Sequence, residues 1–283
     1  MNALRKDNIV DLFVWVEDNL PAELSYSGSK QLGSSDRSGG RPANLSVSET
    51  ITILLFSSLT AHQKLLKGVW KWVITNHSDD FHLPCYSKFV EHCHKSIPHL
   101  AYLLERTLEK DSPAVLMDST MLPVCKLVRA DRHRVARSIA EFGKNHQGWH
   151  YGLKLHVACN LKGKLSAVHL TPANFHDAQA IPKLVNDDTD IAIGDGGYNA
   201  SVMRRQIWQK HGCFILAPPH FKQSKKVATK WQLAFLKIRP KVESVFDYLK
   251  EHLHIVTSFP RSLNGYLLNY LRNLLAYQVM VGV

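Results

Sequence analysis

A mixed α/β domain preceded by a helical region is the fold class that this 283-residue sequence predicts, on three observations. Apolar residues recur at three- and four-residue spacings until about Lys110. From Pro113 onward, short apolar runs stand between turn residues, as strands do. The later runs alternate with stretches of helical period, which favours a mixed sheet over a sandwich or a bundle.

The elements follow in order. Ile9, Leu12, Phe13, Val16 and Leu20 form one face of an amphipathic helix, with Leu4 and Trp15 as apolar neighbours. Residues 25–43 are dominated by Ser, Gly and charged side chains, so a mobile loop or arm is expected there. Ser46 followed by Glu49 is a capping box that opens a buried helix. Five strands are predicted: AVLM before Asp118, YGLKLHVAC after His150, LSAVHLTPA after Lys164, IAIGD up to Asp195 and CFILAPP after Gly212. Helices are expected at 178–185, 200–210, about 230–253 and 263–279. A boundary near residue 110 divides a helical N-terminal region, 1–110, from an α/β domain, 111–283.

Composition excludes several classes. Hydrophobic residues make up 45% of the chain, too many for disorder throughout. No apolar run reaches the roughly 18–20 residues that span a bilayer, and the first twenty residues carry three Asp and a Glu where a secretory signal would be apolar. Five cysteines, Cys85, Cys93, Cys125, Cys159 and Cys213, are odd in number and unpaired in spacing, so a reducing cytoplasm is expected rather than secretion. Thirty-five Lys and Arg against 24 Asp and Glu leave a net charge of +11, which favours a polyanionic partner. Nucleic acid leads, although charge alone also fits an anionic membrane surface.

Three acids stand where an α/β sheet places its chemistry. Asp118 closes the first predicted strand, Asp195 closes the fourth among Gly194, Gly196 and Gly197, and Glu243 lies in the long helix. Hard oxygen donors gathered from distant segments suit Mg²⁺ or Mn²⁺ rather than zinc. Taken singly, each Asp also reads as a turn or a cap. Arg239, Glu243 and Lys250 follow as R-x3-E-x6-K, spacings that share one helix face, beside an apolar stripe of Val242, Val245, Phe246, Leu249 and Leu253. A solvated Arg–Glu–Lys ladder would show the same spacing.

Together these residues resemble the DDE transposases of bacterial insertion sequences, whose signature is Y-x2-R-x3-E-x6-K. Leu236 stands at the Tyr position, so the family's aromatic has no counterpart here. The segments WHYGLKLHV at 149–157 and LTPANFHD at 170–177 are similar to the family's second and third strands. The N-terminal helices followed by YSKFVEH resemble the branch with a short helical N-terminal domain. The likeness runs from about 113 to 279.

The resemblance implies a ribonuclease-H-like five-stranded mixed sheet with flanking helices. It implies that Asp118 bridges two Mg²⁺ ions, with Mn²⁺ as a substitute, and that Asp195 and Glu243 hold one each. Glu243 follows Asp195 by 48 positions, room for one helix and one strand but not for a large β-rich insertion. The implied reaction is metal-dependent cleavage at transposon ends, followed by strand transfer of the freed 3′-OH into target DNA. The implied partners are terminal inverted repeats and target DNA, engaged by a homodimer or higher assembly with no membrane, in a bacterial cytoplasm at the nucleoid. Residues 1–110 would bind DNA ends or mediate assembly. Two alternatives remain: a Mg²⁺-dependent nuclease on the same fold, and a DNA-binding derivative that does not catalyse.

Basic residues crowd the connection between the first two predicted strands: Lys126, Arg129, Arg132, Arg134, Arg137 and Lys144. These, with Arg239 and Lys250, are the expected DNA contacts, although a solvated loop would look alike. Lys222, Lys225, Lys226 and Lys230 form a second such cluster. Cys85, His92, Cys93, His94 and His99 lack zinc-ligand spacing and read as an ordinary helix. His176 and Asp177 read as a turn and cap that could also lie near the site, and Trp149 and Tyr151 as packing residues that could also flank DNA bases.

Overall fold

The computed structural model describes residues 8–21, 45–145, 148–218 and 229–282. The expected arm at 25–43 and Lys222, Lys225 and Lys226 lie outside them. The chain forms two compact units: residues up to Thr107 with 252–255 and 259–283, and residues 108–251 with 256–258.

The first unit is helical. Asn8 caps α1 (Ile9–Asn19) by accepting the Val10 N–H. The capping box of α2 (Val47–Leu59) is complete, Ser46 Oγ accepting from Glu49 N–H at 3.1 Å and Glu49 Oε2 from Ser46 N–H at 2.7 Å. There follow α3 (Leu66–Asn76), α4 (Tyr86–Lys95) and α5 (Ile97–Thr107). Cys93 is buried in α4, whereas Cys85 is exposed at its N-cap. The last helix, α10 (Leu263–Gly282), packs against α2 and α5, so it joins this unit instead of the sheet with which the sequence boundary grouped it. Arg272 is buried in it and donates through Nη2 to the carbonyls of Gln63 and Lys64, each at 3.0 Å. Gln278 Nε2 donates to the Thr107 carbonyl at 2.6 Å. Among the described residues no helix is long and apolar enough to cross a membrane.

The second unit is a mixed six-stranded sheet with flanking helices, a ribonuclease-H-like fold. Its strands are β1 (Ala114–Pro123), β2 (Glu141–Asn145), β3 (Gly148–Asn160), β4 (Leu165–Pro172), β5 (Ile191–Ile193) and β6 (Phe214–Leu216). The order is β2-β3-β1-β5-β6, with β4 also on β3. β3 pairs antiparallel with β1, β2 and β4, while β5 runs parallel to β1 and β6. β3 is buried on both faces along most of its length, which explains its near-continuous apolar run. β2 is the strand beyond the five expected: EFGKN has a single interior residue, Gly143, so no apolar alternation marks it.

Four helices accompany the sheet: α6 (Asp177–Leu184), α7 (Ser201–His211), α8 (Lys230–Leu236) and α9 (Lys241–Asp247). Ala178, Ile181 and Leu184 of α6 and Ile207 of α7 share a core with Val115 and Met117 of β1 and Ile215 of β6. α9 packs on β1 through a buried stripe that includes Val242, Val245 and Phe246. The expected single helix over 230–253 is divided. Pro240 lacks an N–H and disfavours helix in the residue before it, so α8 ends, a turn spans 237–240, and α9 starts afresh. A π-helical turn, Tyr248–His252, then shifts the register beneath Lys250.

Candidate active site

Sheet register brings Asp118 and Asp195 side by side. Leu116 of β1 pairs in parallel with Ile193, the last residue of β5, and each aspartate follows two residues further on, so the register brings the two segments that carry them together. Asp118 does not close its strand, as the sequence suggested. β1 continues to Pro123 along β3, but β5 ends at Ile193, so Asp118 stands just past the point where β1 loses its parallel neighbour. That opening is where a carboxylate can leave the sheet. Asp118 Oδ1 accepts the Ser119 N–H at 2.8 Å, and Asp195 Oδ1 accepts the Gly197 N–H at 2.9 Å, capping the 3₁₀ turn Gly196–Tyr198.

Glu243 joins through Arg239. The guanidinium donates from Nη2 to Asp118 Oδ2 at 3.1 Å and lies, through Nη1, 3.2 Å from Glu243 Oε1. Its Nε is buried without a partner. Asp118 is 14% exposed and Glu243 52%, so the cluster runs from the sheet interior to the surface. Burial pushes the Asp118 carboxyl up to about 6. The Ser119 N–H and Arg239 oppose that shift, and the negative charges of Asp195 and Glu243 add to it. Two acids far apart in sequence therefore act on Asp118 electrostatically.

The donor chemistry fits a hard divalent cation: three carboxylates whose mutual repulsion is relieved by positive charge. The coordination shell is not assembled, however. Among the described residues, no group of three His, Cys, Asp or Glu side chains stands placed to hold an ion. The Arg239 guanidinium is what bridges Asp118 and Glu243.

Glycines next to Asp195 have two distinct reasons. A Cβ on Gly194 would meet the Tyr198 ring at 2.7 Å, and one on Gly197 would meet Asp195 Oδ1 at 3.0 Å and Asp177 Oδ2 at 3.2 Å. Gly196 faces open space.

Asp177 was legible in the sequence only as a possible neighbour. It accepts the Ser119 hydroxyl at 2.7 Å and Lys154 Nζ at 3.2 Å, and His156 Nδ1 lies 3.7 Å away. Sequence reasoning missed Ser119 and Lys154; the one signal was a lysine inside the otherwise apolar run of β3. Tyr198 is buried, and burial first and Asp177 second push its pKa upward, while a hydrogen bond with the Ser119 side chain opposes the shift.

The expected DNA contacts fall into two groups. Lys126, Arg129, Arg132, Arg134 and Arg137 are all exposed on the segment containing the 3₁₀ turn Leu127–Arg132. Arg239, in contrast, is engaged by acids, and Lys250 sits in the π-helical turn instead of one α-helical face with Glu243. Tyr151 is buried against Phe142 and His133, but Trp149 is 56% exposed, with Lys144 Nζ 5.8 Å from its ring centre, contrary to its reading as a packing residue.

Fold and site together define a ribonuclease-H-like domain with an acid–guanidinium cluster at the opening of its sheet. A family model described as the transposase DDE domain matches residues 110–263, more than half of the chain, and the chain belongs to that family. Membership supports an enzymatic activity of transposase or nuclease type. No solved structure matches the chain.

Proposed function

We propose that this protein is a DNA transposase that cleaves at the ends of its element and transfers the freed 3′-OH strand into target DNA. The observation that supports this reading is the parallel register that brings together the segments carrying Asp118 and Asp195, with Arg239 between Asp118 and Glu243, in a chain of the DDE family. Asp118, Asp195 and Glu243 are the residues that would hold the divalent cations. Bound there, Mg²⁺ or Mn²⁺ supplies activation of the attacking oxygen and charge neutralisation at the leaving oxygen.

The chain's own residues carry the rest. Asp118 must be ionised to act, and because burial opposes its ionisation, a positive group beside it favours the acting form. Arg239 supplies that charge beside Asp118 and Glu243, and with a cation held by the acids it would be free to contact a DNA phosphate. Lys250 and the exposed cations Lys126, Arg129, Arg132, Arg134 and Arg137 grip the phosphates of the bound end. The helical unit binds element ends or joins two protomers, so that two ends are held together at the nucleoid.

The test is incubation of the full chain with duplexes carrying the element's own ends, in Mg²⁺ or EDTA, beside Asp195→Asn and Glu243→Gln. Cuts at fixed ends, followed by joining to a second duplex and lost in both variants, are expected. Hydrolysis without joining would make the protein a nuclease, and binding without metal-dependent cutting would make it a non-catalytic derivative.

A further inference from the structure

We infer that Asp177 is a positioning residue of the acid site: it ties the strand that carries Asp118 to the turn that follows Asp195. The inference rests on the proposed role of the three acids.

Successive residues of a strand point to opposite faces, so Asp118 and Ser119 face opposite sides of β1. Asp118 turns toward Arg239, and Ser119 donates its hydroxyl to Asp177 Oδ1 at 2.7 Å. Asp177 therefore holds the residue bonded to Asp118 from behind the sheet. Its other oxygen, Oδ2, lies 3.2 Å from where a Cβ on Gly197 would stand, and Asp195 Oδ1 lies 3.0 Å from the same point. One side chain thus bonds to the strand that carries Asp118 and stands next to the turn that follows Asp195.

Two observations separate this role from ordinary helix capping. Asp177 opens α6, but the cap is supplied by His176, whose Nδ1 accepts the Ala178 N–H at 3.2 Å. Asp177 is left to accept bonds from elsewhere in the fold. Its charge is met by Lys154 of β3, which is 8% exposed and is itself held by the Phe175 carbonyl at 2.7 Å. Desolvating two charges makes such a pair a poor source of stability. What the pair does supply is direction: Lys154 and Ser119 converge on a single oxygen, so the carboxylate cannot rotate without losing both. The positive partner also keeps a fourth carboxylate from adding its full negative charge to the three of the site.

Outer partners of metal-binding groups typically alter affinity by about 10–100-fold when removed. The experiment is Mn²⁺ titration by calorimetry on the full chain, with thermal melting, for wild type, Asp195→Asn, and the double variant Asp177→Asn with Lys154→Met, which leaves no unpaired buried charge. Loss of Mn²⁺ binding in Asp195→Asn establishes the acid site. A double variant that melts cooperatively yet binds Mn²⁺ at least about tenfold more weakly supports the inference; affinity equal to wild type overturns it and leaves a plain structural pair. Should the double variant not fold, Ser119→Ala decides in the same way, weakened Mn²⁺ binding supporting the tie and unchanged binding overturning it. Binding that Asp195→Asn leaves intact would overturn the acid-site reading itself, and this inference with it.

Discussion

The guanidinium of Arg239 lies 3.1 Å from Asp118 Oδ2, across the position where the two far-separated acids Asp118 and Glu243 come closest to sharing a cation. An arginine there competes with any ion that needs the same oxygens. Arg239→Ala is therefore expected to raise Mn²⁺ affinity about fivefold, the equivalent of ~1 kcal/mol for one partly exposed ion pair, while lowering DNA cleavage through loss of a phosphate contact. Calorimetry and a cleavage assay on the same variant would separate the two effects. A fall in both would mean that Arg239 only positions the acids.

Asp118 makes the fold's stability depend on pH in a definite direction. Its folded pKa of about 6 lies above the ordinary 3.8, so between those values the native state binds a proton that the unfolded chain has released. The stability that Asp118 contributes is then fully present below pH 3.8 and is lost as pH rises through 6. Asp118→Asn removes the titration, so its stability relative to wild type should grow by about 2 kcal/mol between pH 4.5 and 7.5, read by urea unfolding at the two pH values. A constant difference would show that burial at Asp118 is not what sets its proton affinity.

The glycines around Asp195 divide by what stands against them. Gly196→Ala should change melting stability by no more than ~0.5 kcal/mol. Gly194→Ala forces a methyl into the Tyr198 ring and should cost about 1–3 kcal/mol. Gly197→Ala should fold but bind Mn²⁺ more weakly, because its methyl presses on the carboxylates of both Asp195 and Asp177. Melting curves and Mn²⁺ titration of the three variants test this, and equal behaviour of all three would contradict it.

The exposed arm between β1 and β2 predicts salt-dependent DNA binding. Arg132→Ala with Arg134→Ala removes two exposed cations, so affinity should fall for every sequence and the slope of log K against log salt should flatten by about 2 × 0.9. Filter binding at several salt concentrations measures both. An unchanged slope would leave the arm a solvated loop.

Much of this was legible in the sequence because the signals were local. Ser46 and Glu49 announce a cap by their spacing alone, and the apolar runs of β1, β3 and β4 announce strands by composition. What periodicity reports is that a face is buried, not what buries it. The last helix therefore could not be assigned to the helical unit from its own residues, since Arg272 and Gln278 find their partners at Gln63, Lys64 and Thr107, far away in sequence. The three acids were legible as a set through a motif. Their supporting residues were not, because Ser119, Lys154 and Asp177 meet through sheet pleat and pairing that no spacing rule encodes. Pro240 was the exception, a visible breaker outweighed by the apolar stripe on either side of it.

On the proposed function, Asp118, Asp195 and Glu243 would hold divalent ions in place of the Arg239 guanidinium. Anomalous X-ray scattering from crystals of the full chain grown with Mn²⁺ and an end-bearing duplex tests it most directly. Manganese peaks bounded by the carboxylates of Asp118, Asp195 and Glu243 are expected, with the Arg239 side chain moved away from Asp118. Manganese bound elsewhere, or none at these acids with Arg239 still bridging Asp118 and Glu243, would contradict it.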